Sequence, residues 1–462
     1  MALAGSMLLL LTAAPAWGSG GLTTSSAPAP ILATLTVQTA KVASLPAGFW
    51  GADVRPYYPL STGTAALLNS TPVTTLRWPG GATGDDYNYT ANRLYYNGGT
   101  YYSPPTNESQ FVAFCRSVAC QAILELPGEV DDPATAAYYV SYTLHNLHFS
   151  PAYWEIGNEP AQWTHFGIPW ANWSTSQSVN ATPGSYARVV QSYIAAIRAV
   201  APTAAFVGLP GVGTGGYNEA TWIRATVALN GPNLSAVAIH VYPAGGAPAG
   251  SNQTAASFLG TLTGNGALPA RLPTDRAAIS AACPACPPIR LLVTELGSGT
   301  QGGPFARYMA GYADMVYLAA EMAQAISAGV PNVDLFAWQS TYNGSLLAAN
   351  GTTSRSFGLY SQMFPLLQPV VMNATLSGAP GSVFLAATRD LGNSTYTLLV
   401  VNANTTAGVQ FNLPSFGVPL GGAGAAWTWQ PTVGGGPQLT TWSSASARTW
   451  TLGPESVLVL EL

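Results

Sequence analysis

The chain is expected to adopt an α/β fold, a (β/α)8 barrel carrying an accessory antiparallel β-sandwich. Three observations predict it. Eight short, almost continuously apolar runs recur between Phe49 and Trp338, separated by stretches long enough to hold helices, as strands covered on both faces require. From about Pro365 the helical signal stops and strand runs alternate with Gly- and Asn-rich turns. Glu159 follows the fourth apolar run and Glu295 closes the seventh, and strand C-termini are where such a barrel gathers its functional groups.

Residues 1–18 contain the most apolar stretch, Met7 to Ala16, with small residues around Ala14-Pro15-Ala16-Trp17-Gly18. This reads as a secretory signal, although the usual positive charge before it is missing. Residues 19–45 are a Ser/Thr/Ala/Pro linker followed by Ile31 to Val37, whose alternation suits a half-buried strand that joins the sandwich. Residues 46–364 form the expected barrel. Its strands are Phe49–Val54, Val73–Trp78, Gln121–Leu126, Tyr153–Gly157, Ala205–Leu209, Ala236–Tyr242, Ile289–Glu295 and Val333–Trp338. Tyr186 to Val200 and Phe305 to Ala328 are expected helices, the second with apolar residues at helical spacing. Residues 365–462 supply the sandwich through runs such as Ser382–Ala387, Tyr396–Val401 and Val457–Leu462, so both chain ends meet in one accessory domain.

Bulk composition narrows the partners. Charged residues make up 7% of 462 residues, against ~25% in an average soluble protein. That raises the question of a membrane, yet no apolar stretch reaches the ~20 residues of a spanning helix. Lys41 is the only lysine, the net charge is −4 and the arginines are dispersed, so no basic cluster could track a nucleic-acid backbone. Sequons at Asn69, Asn88, Asn107, Asn172, Asn180, Asn233, Asn343 and Asn393 fit a secreted or cell-surface protein. Cys115 with Cys120, and Cys283 with Cys286, form two close pairs just before predicted strands. Each suits a local disulfide in an exported chain. Free thiols, redox chemistry or a zinc site are the alternatives.

The chemistry rests on paired carboxylates. Cleaving a glycosidic bond needs one protonated carboxyl and one carboxylate on either side of the anomeric carbon. In Trp154-Glu155-Ile156-Gly157-Asn158-Glu159-Pro160, Glu159 suits the acid, because Asn158 beside it can bind a sugar hydroxyl and Pro160 turns the chain away. Glu295, at a strand end before Leu296-Gly297-Ser298-Gly299, suits the nucleophile. A structural ion pair or cap is the bland reading of either one. Alternation puts His240 and Tyr242 on one side of the sixth run, where the tyrosyl OH can touch the nucleophile; a buried core histidine is the alternative for His240. Arg77, in Arg77-Trp78-Pro79-Gly80-Gly81, can hold a carboxylate in place or pair with Glu155 or Glu125 inside the barrel. Trp338 offers an aromatic floor for a sugar ring or a piece of core. Asp53, Asp85, Asp86, Tyr87 and Gln339 stand in strand-end loops, within reach of hydroxyls.

The strand-four motif Trp154 to Pro160 resembles the acid/base motif of clan A of the glycoside hydrolases, whose catalytic glutamates follow strands four and seven. Arg77 to Gly81 is similar to the corresponding segment of α-L-arabinofuranosidases and β-xylosidases, and the strand-four motif also resembles heparanase-like β-glucuronidases. The resemblance covers most of residues 46–365. It implies a retaining hydrolase with Glu159 as acid/base, Glu295 as nucleophile and Asn158 on the 2-hydroxyl. His240, Tyr242, Arg77 and Trp338 would support them, with a carbohydrate as the only partner implied and neither cofactor nor metal needed. A glucuronidase would also need a cation for the uronate, for which Arg355 and Arg307 are candidates.

Gly211-Val212-Gly213-Thr214-Gly215-Gly216 matches the dinucleotide-binding glycine pattern, but no acidic residue ends a following strand at the required distance. These glycines read as a strand-to-helix loop. Neither a Gly-x-Ser-x-Gly elbow nor a His-Glu-x-x-His motif is present. The rival to an enzyme is a secreted carbohydrate-binding or surface-layer protein that kept the barrel and lost turnover.

Overall fold

The structure is a computed structural model that describes residues 29–96, 100–173, 178–212, 218–245, 254–299, 305–308, 311–341, 344–392, 395–413, 423–430, 438–443 and 449–462. The expected signal segment, Gly213 to Gly216 and the sequon asparagines Asn343 and Asn393 lie outside the described residues. Among the described residues no helix is long and apolar enough to cross a membrane.

Eight parallel strands close into a barrel in chain order: β1 (Trp50–Asp53), β2 (Thr75–Trp78), β3 (Gln121–Leu126), β4 (Tyr153–Ile156), β5 (Phe206–Pro210), β6 (Ala236–Val241), β7 (Arg290–Leu296) and β8 (Val333–Leu335). Each lies on one of the eight apolar runs. Their residues are buried almost throughout, because side chains point alternately to the barrel interior and to the helices outside. Helices Thr62–Asn69, Glu108–Ser117, Pro133–His145, Pro183–Val200, Glu219–Asn230, Leu268–Ala282 and Tyr312–Ser327 fill the seven crossovers.

Helix 183–200 starts three residues before the expected helix at 186. Thr182 and Ser185 form a capping box and Pro183 occupies the first turn, where its missing N–H costs nothing. Helix 312–327 starts later than the periodicity at 305 suggested: Ala306–Tyr308 is a separate 3-10 turn and Gly311 is the N-cap. A small sheet of Tyr87–Asn88, Arg93–Tyr96 and Thr100–Tyr102, inserted after β2, has no counterpart in the expected elements. Its strands are too short to show a period.

The accessory domain is one curled nine-stranded sheet. Its spatial order is 438–443, 423–429, 456–461, 396–402, 383–389, 370–377, 31–44, 409–412, 449–452. The strand near residue 31 does complete it, pairing antiparallel with 370–377. One pairing departs from the antiparallel expectation: Ile31–Thr34 runs parallel to Val409–Asn412. Strand 31–44 is long enough to serve two neighbours, and its register shifts between Val37 and Lys41 and again before Ala43.

Continuous hydrophobicity in Tyr396–Asn402 has a two-sided cause. Leu398 and Val400 face the sandwich core with Leu458 and Leu460. Leu399 and Val401 join the barrel's core cluster with Val457 and Val459. The element between the two domains is helix 312–327, buried from Ala313 to Ile326, which explains why its apolar residues are not confined to one stripe. Its ends are tied across the junction, Tyr312 Oη donating to the Trp429 carbonyl at 2.8 Å and Ser327 Oγ to the Leu385 carbonyl at 2.7 Å.

Both cysteine pairs are disulfides, with Cα separations of 5.0 Å for Cys115–Cys120 and 5.4 Å for Cys283–Cys286. Each links the end of an outer helix to the approach to β3 or β7, at the N-terminal face of the barrel. Such short loops remove little chain entropy, so Cys115→Ala/Cys120→Ala is expected to lower stability by about 2 kcal/mol. Denaturant unfolding checks this.

Candidate active site

A single guanidinium organises the barrel mouth. Arg77, on β2, is fully buried. Its Nε donates to Glu155 Oε2; Nη1 donates to Glu295 Oε1 at 2.9 Å and Asp53 Oδ1 at 3.2 Å; Nη2 donates to Asn158 Oδ1 at 2.9 Å and lies 3.3 Å from Glu125 Oε2. The planar fork permits this, because five N–H groups radiate in one plane towards five partners on four different segments. Strand register makes it local: Asp53 is the cross-strand neighbour of Arg77, and Glu125 that of Glu155. Four carboxylates surround one cation. Burial pushes Asp53, Glu125 and Glu155 above the usual carboxylate range and Arg77 pulls each part of the way back, so protons share with Arg77 the neutralisation of the cluster. Both sequence readings of Arg77 therefore hold together.

Glu159 reaches the mouth through an unusual backbone. After β4, Gly157 has φ +72°, and a Cβ there would stand 2.5 Å from the Trp163 ring. Glu159 itself is left-handed at φ 41° and ψ 58°, which costs a non-glycine residue roughly 1 kcal/mol or more. The fixings around it hold that shape. Glu159 N–H donates to the Pro210 carbonyl at 3.0 Å, and Pro160 starts a 3-10 turn that brings Gln162 Nε2 to Glu159 Oε2 at 2.6 Å. Asp85 locks the same loop: its carboxylate accepts from the backbone N–H of Gly128, Glu129 and Asn158 and from Trp163 Nε1.

Glu295 arrives by a bulge. Ile239 pairs with Val293 but His240 pairs with Glu295, so the extra residue Thr294 re-aims the carboxylate. Tyr242 Oη donates to Glu295 Oε2 at 2.6 Å, and the Arg77 bond fixes the other oxygen. His240 Nδ1 sits 2.9 Å from Glu159 Oε1 and 3.4 Å from Glu295 Oε2. One donor atom from each of Glu159, His240 and Glu295 lies within 4.8 Å of the others. Gly211, at φ +65°, makes room for His240, since a Cβ there would stand 2.4 Å from the imidazole Cγ.

These environments differ. Burial, partly offset by Arg77, pushes Glu159 up to about 7. Burial drives His240 down to about 3, so its ring is neutral at neutral pH. Burial and the adjacent Glu295 hold Tyr242 well above its ordinary value, and it remains a donor. A carboxyl that keeps its proton near neutrality thus faces one held by a cation and a phenol, the asymmetry that proton donation and nucleophilic attack require.

The structure brings together Glu159, Glu295, Asn158, His240, Tyr242 and Arg77. Two expected contacts stand elsewhere. Asp53 is fully buried against Arg77 rather than lying in an open loop. Trp338 is 1% exposed and packs edge-on against Phe357, because β8 ends at Leu335 and the returning segment bonds over it, Leu347 N–H to the Trp338 carbonyl. The part-exposed aromatic beside the pair is Phe336, T-shaped to Tyr242 at 6.3 Å. Asp85 clamps backbone, Tyr87 Oη bonds Asn92, and Gln339 Nε2 bonds the Ala349 carbonyl, whereas Asp86 stays half-buried near Arg55. The cation next to Phe336 is Arg55, 5.6 Å above its ring; Arg307 lies on Tyr308 and Arg355 opens a short helix. Phe336, Gln162, Arg55 and Arg271, which donates to the His240 carbonyl, carry no motif that marks them. Only their place just after a strand or beside Glu159 hints at the first three.

No protein-family profile and no curated protein matches the chain. Solved structures do. A family 51 α-L-arabinofuranosidase from Bifidobacterium longum superimposes with a TM-score of 0.74 at 16% identity, over 94% of this chain and 99% of that one. An α-L-arabinofuranosidase from Thermotoga maritima gives 0.69 at 13% identity, over 93% and 99%. A family 44 endoglucanase from Clostridium thermocellum gives 0.68 at 14% identity, over 94% and 100%. The chain thus shares the barrel-and-sandwich fold of these arabinofuranosidases and this endoglucanase.

Removing Arg77 leaves its acidic neighbours buried without their cation. Arg77→Met is expected to destabilise the protein by about 3–5 kcal/mol, and Arg77→Lys to recover only part of that, because an ammonium cannot address five partners at once. Denaturant unfolding of both variants checks this; an unchanged midpoint in Arg77→Met would contradict it.

Proposed function

We propose that the chain is a retaining glycoside hydrolase, exported or cell-surface, that cleaves glycosidic bonds in plant- or microbe-type polysaccharide or oligosaccharide. The observation that carries this is the Glu159–Glu295 pair, with carboxylate oxygens within 4.8 Å across the mouth. Retaining enzymes hold the two at ~5 to 5.5 Å, whereas inverting ones leave ~6.5 Å or more for a water. Two disulfides support an oxidising compartment.

In the first step a Glu295 oxygen attacks the anomeric carbon while the bond to the leaving oxygen breaks. Glu159 passes its proton to that oxygen. Arg77 and Tyr242 orient Glu295 by donating to its two oxygens, and the neutral His240 keeps Nδ1 within 2.9 Å of Glu159 Oε1. In the second step Glu159, now ionised, takes a proton from water, the water oxygen bonds the anomeric carbon, and Glu295 leaves. Asn158, its carbonyl oxygen held by Arg77, presents its amide N–H₂ to the 2-hydroxyl. Phe336 offers a ring face to the sugar.

Glu295→Ala is expected to lower kcat by at least about 10³-fold on aryl glycosides. Azide should restore part of it with inverted anomeric configuration; an unaffected kcat would reject the nucleophile assignment. Because Glu159 must be protonated to act as acid, kcat/KM is expected to fall as pH rises through about 7. Glu159→Gln should remove that basic limb for substrates whose leaving group needs no proton, and a limb that persists unchanged would assign it to another group. A panel of pentosides, hexosides and uronides identifies the sugar. A chain that binds glycans and releases no product from any of them would be the non-catalytic binder.

A further inference from the structure

Outside the barrel wall, between helix 108–117 and helix 133–145, lies a second cavity of about 220 Å³. Its chemistry differs from the hydrophobic surfaces that pack elements together. Tyr138 and Tyr142, one turn apart on helix 133–145, present rings 23° from parallel with centroids 6.5 Å apart, and Tyr138 is 56% exposed. Tyr139 and Tyr89, 4.4 Å between centroids, form the floor. Tyr89 Oη donates to the Glu125 carbonyl on β3, so a tyrosine layer separates this cavity from the catalytic cluster.

Polar groups line the same space. Glu108 is 6% exposed and lines the cavity; its Oε1 is held by Thr143 Oγ1, which leaves Oε2 for a ligand. Asn92 has Oδ1 taken by Tyr87 Oη at 2.7 Å, which orients its amide nitrogen. An exposed and a half-buried phenol ring beside a carboxyl and an amide is the chemistry that recognises a sugar ring: C–H faces stack on the phenols while hydroxyls bond the rim. The cavity falls below the ~300 Å³ of a drug-sized site, which suits one ring of a longer chain.

We infer that this tyrosine-lined cavity is an auxiliary carbohydrate-binding site that grips one sugar unit of a polysaccharide away from the catalytic cleft. The choice of a sugar as occupant rests on the glycosidase reading. The geometry of the cavity does not.

Affinity electrophoresis of the full chain, produced without N-glycosylation, in gels containing soluble arabinoxylan, xyloglucan or hydroxyethyl cellulose tests it. The wild type should be retarded by at least one polymer. Tyr138→Ala/Tyr142→Ala should weaken that retardation about tenfold, two stacking contacts being lost, while kcat/KM on a small aryl glycoside stays within about twofold. Tyr138→Trp, which keeps a ring face, should retain the retardation. A wild type that migrates freely in all three polymers overturns the inference, as does a double variant retarded like its parent. A glycan found by mass spectrometry on Asn107, at the cavity edge, in protein from a glycosylating host also overturns it, since the chain's own sugar would fill the site. Failure of the catalytic reading looks different: no aryl glycoside is turned over, whatever the gels show.

Discussion

The barrel mouth depends on the charge balance around Arg77. One buried guanidinium binds carboxylates contributed by β1, β3, β4 and β7 and the amide of Asn158. Charges taken this far from water are tolerated only when paired or protonated, so the position of each acid is tied to that of the cation. Glu295 is thereby held by Arg77 directly, whereas Glu159 is held by His240 and Gln162 at the edge of the same field. Burial, only partly offset by Arg77, is what raises Glu159, while Arg77 and Tyr242 bond Glu295 directly.

Backbone irregularities complete the arrangement. A regular β7 would not place Glu295 opposite His240; the bulge at Thr294 does. A right-handed residue 159 would turn its side chain away from the mouth; the left-handed one, braced by Gly157, Pro160 and the Asp85 clamp, does not. Local strain is offset by the rigidity of a closed barrel whose outer layer is itself packed on the sandwich through helix 312–327.

The fold was legible because burial on two faces writes itself as apolar runs, and all eight barrel strands coincide with such runs. The site was legible where chemistry and strand ends coincide, as at Glu159, Glu295, His240 and Tyr242. It was less so where the strand ended early. The eighth run continues to Trp338, but the strand stops at Leu335, so the aromatic at the mouth is Phe336 and the tryptophan belongs to the core. Asp53 looked like a loop residue because its pairing is with Arg77 on the neighbouring strand, inside the barrel, where no periodicity records it. The parallel contact of Ile31–Thr34 was equally invisible, since a strand's pattern does not name its second neighbour. The tyrosines of the second cavity come from separate segments, and only the packing of helix 133–145 on the inserted loop gathers them.

The stereochemistry of the first-formed product tests the central claim most directly. Proton NMR of hydrolysis under way, on whichever glycoside the enzyme turns over fastest, should show the anomer of the substrate appearing before mutarotation. That outcome requires two successive displacements at one carbon, the first by a carboxylate placed as Glu295 is and the second by water deprotonated by one as close as Glu159. Initial release of the opposite anomer would mean a single displacement by water, and the pair described here would not be its agent.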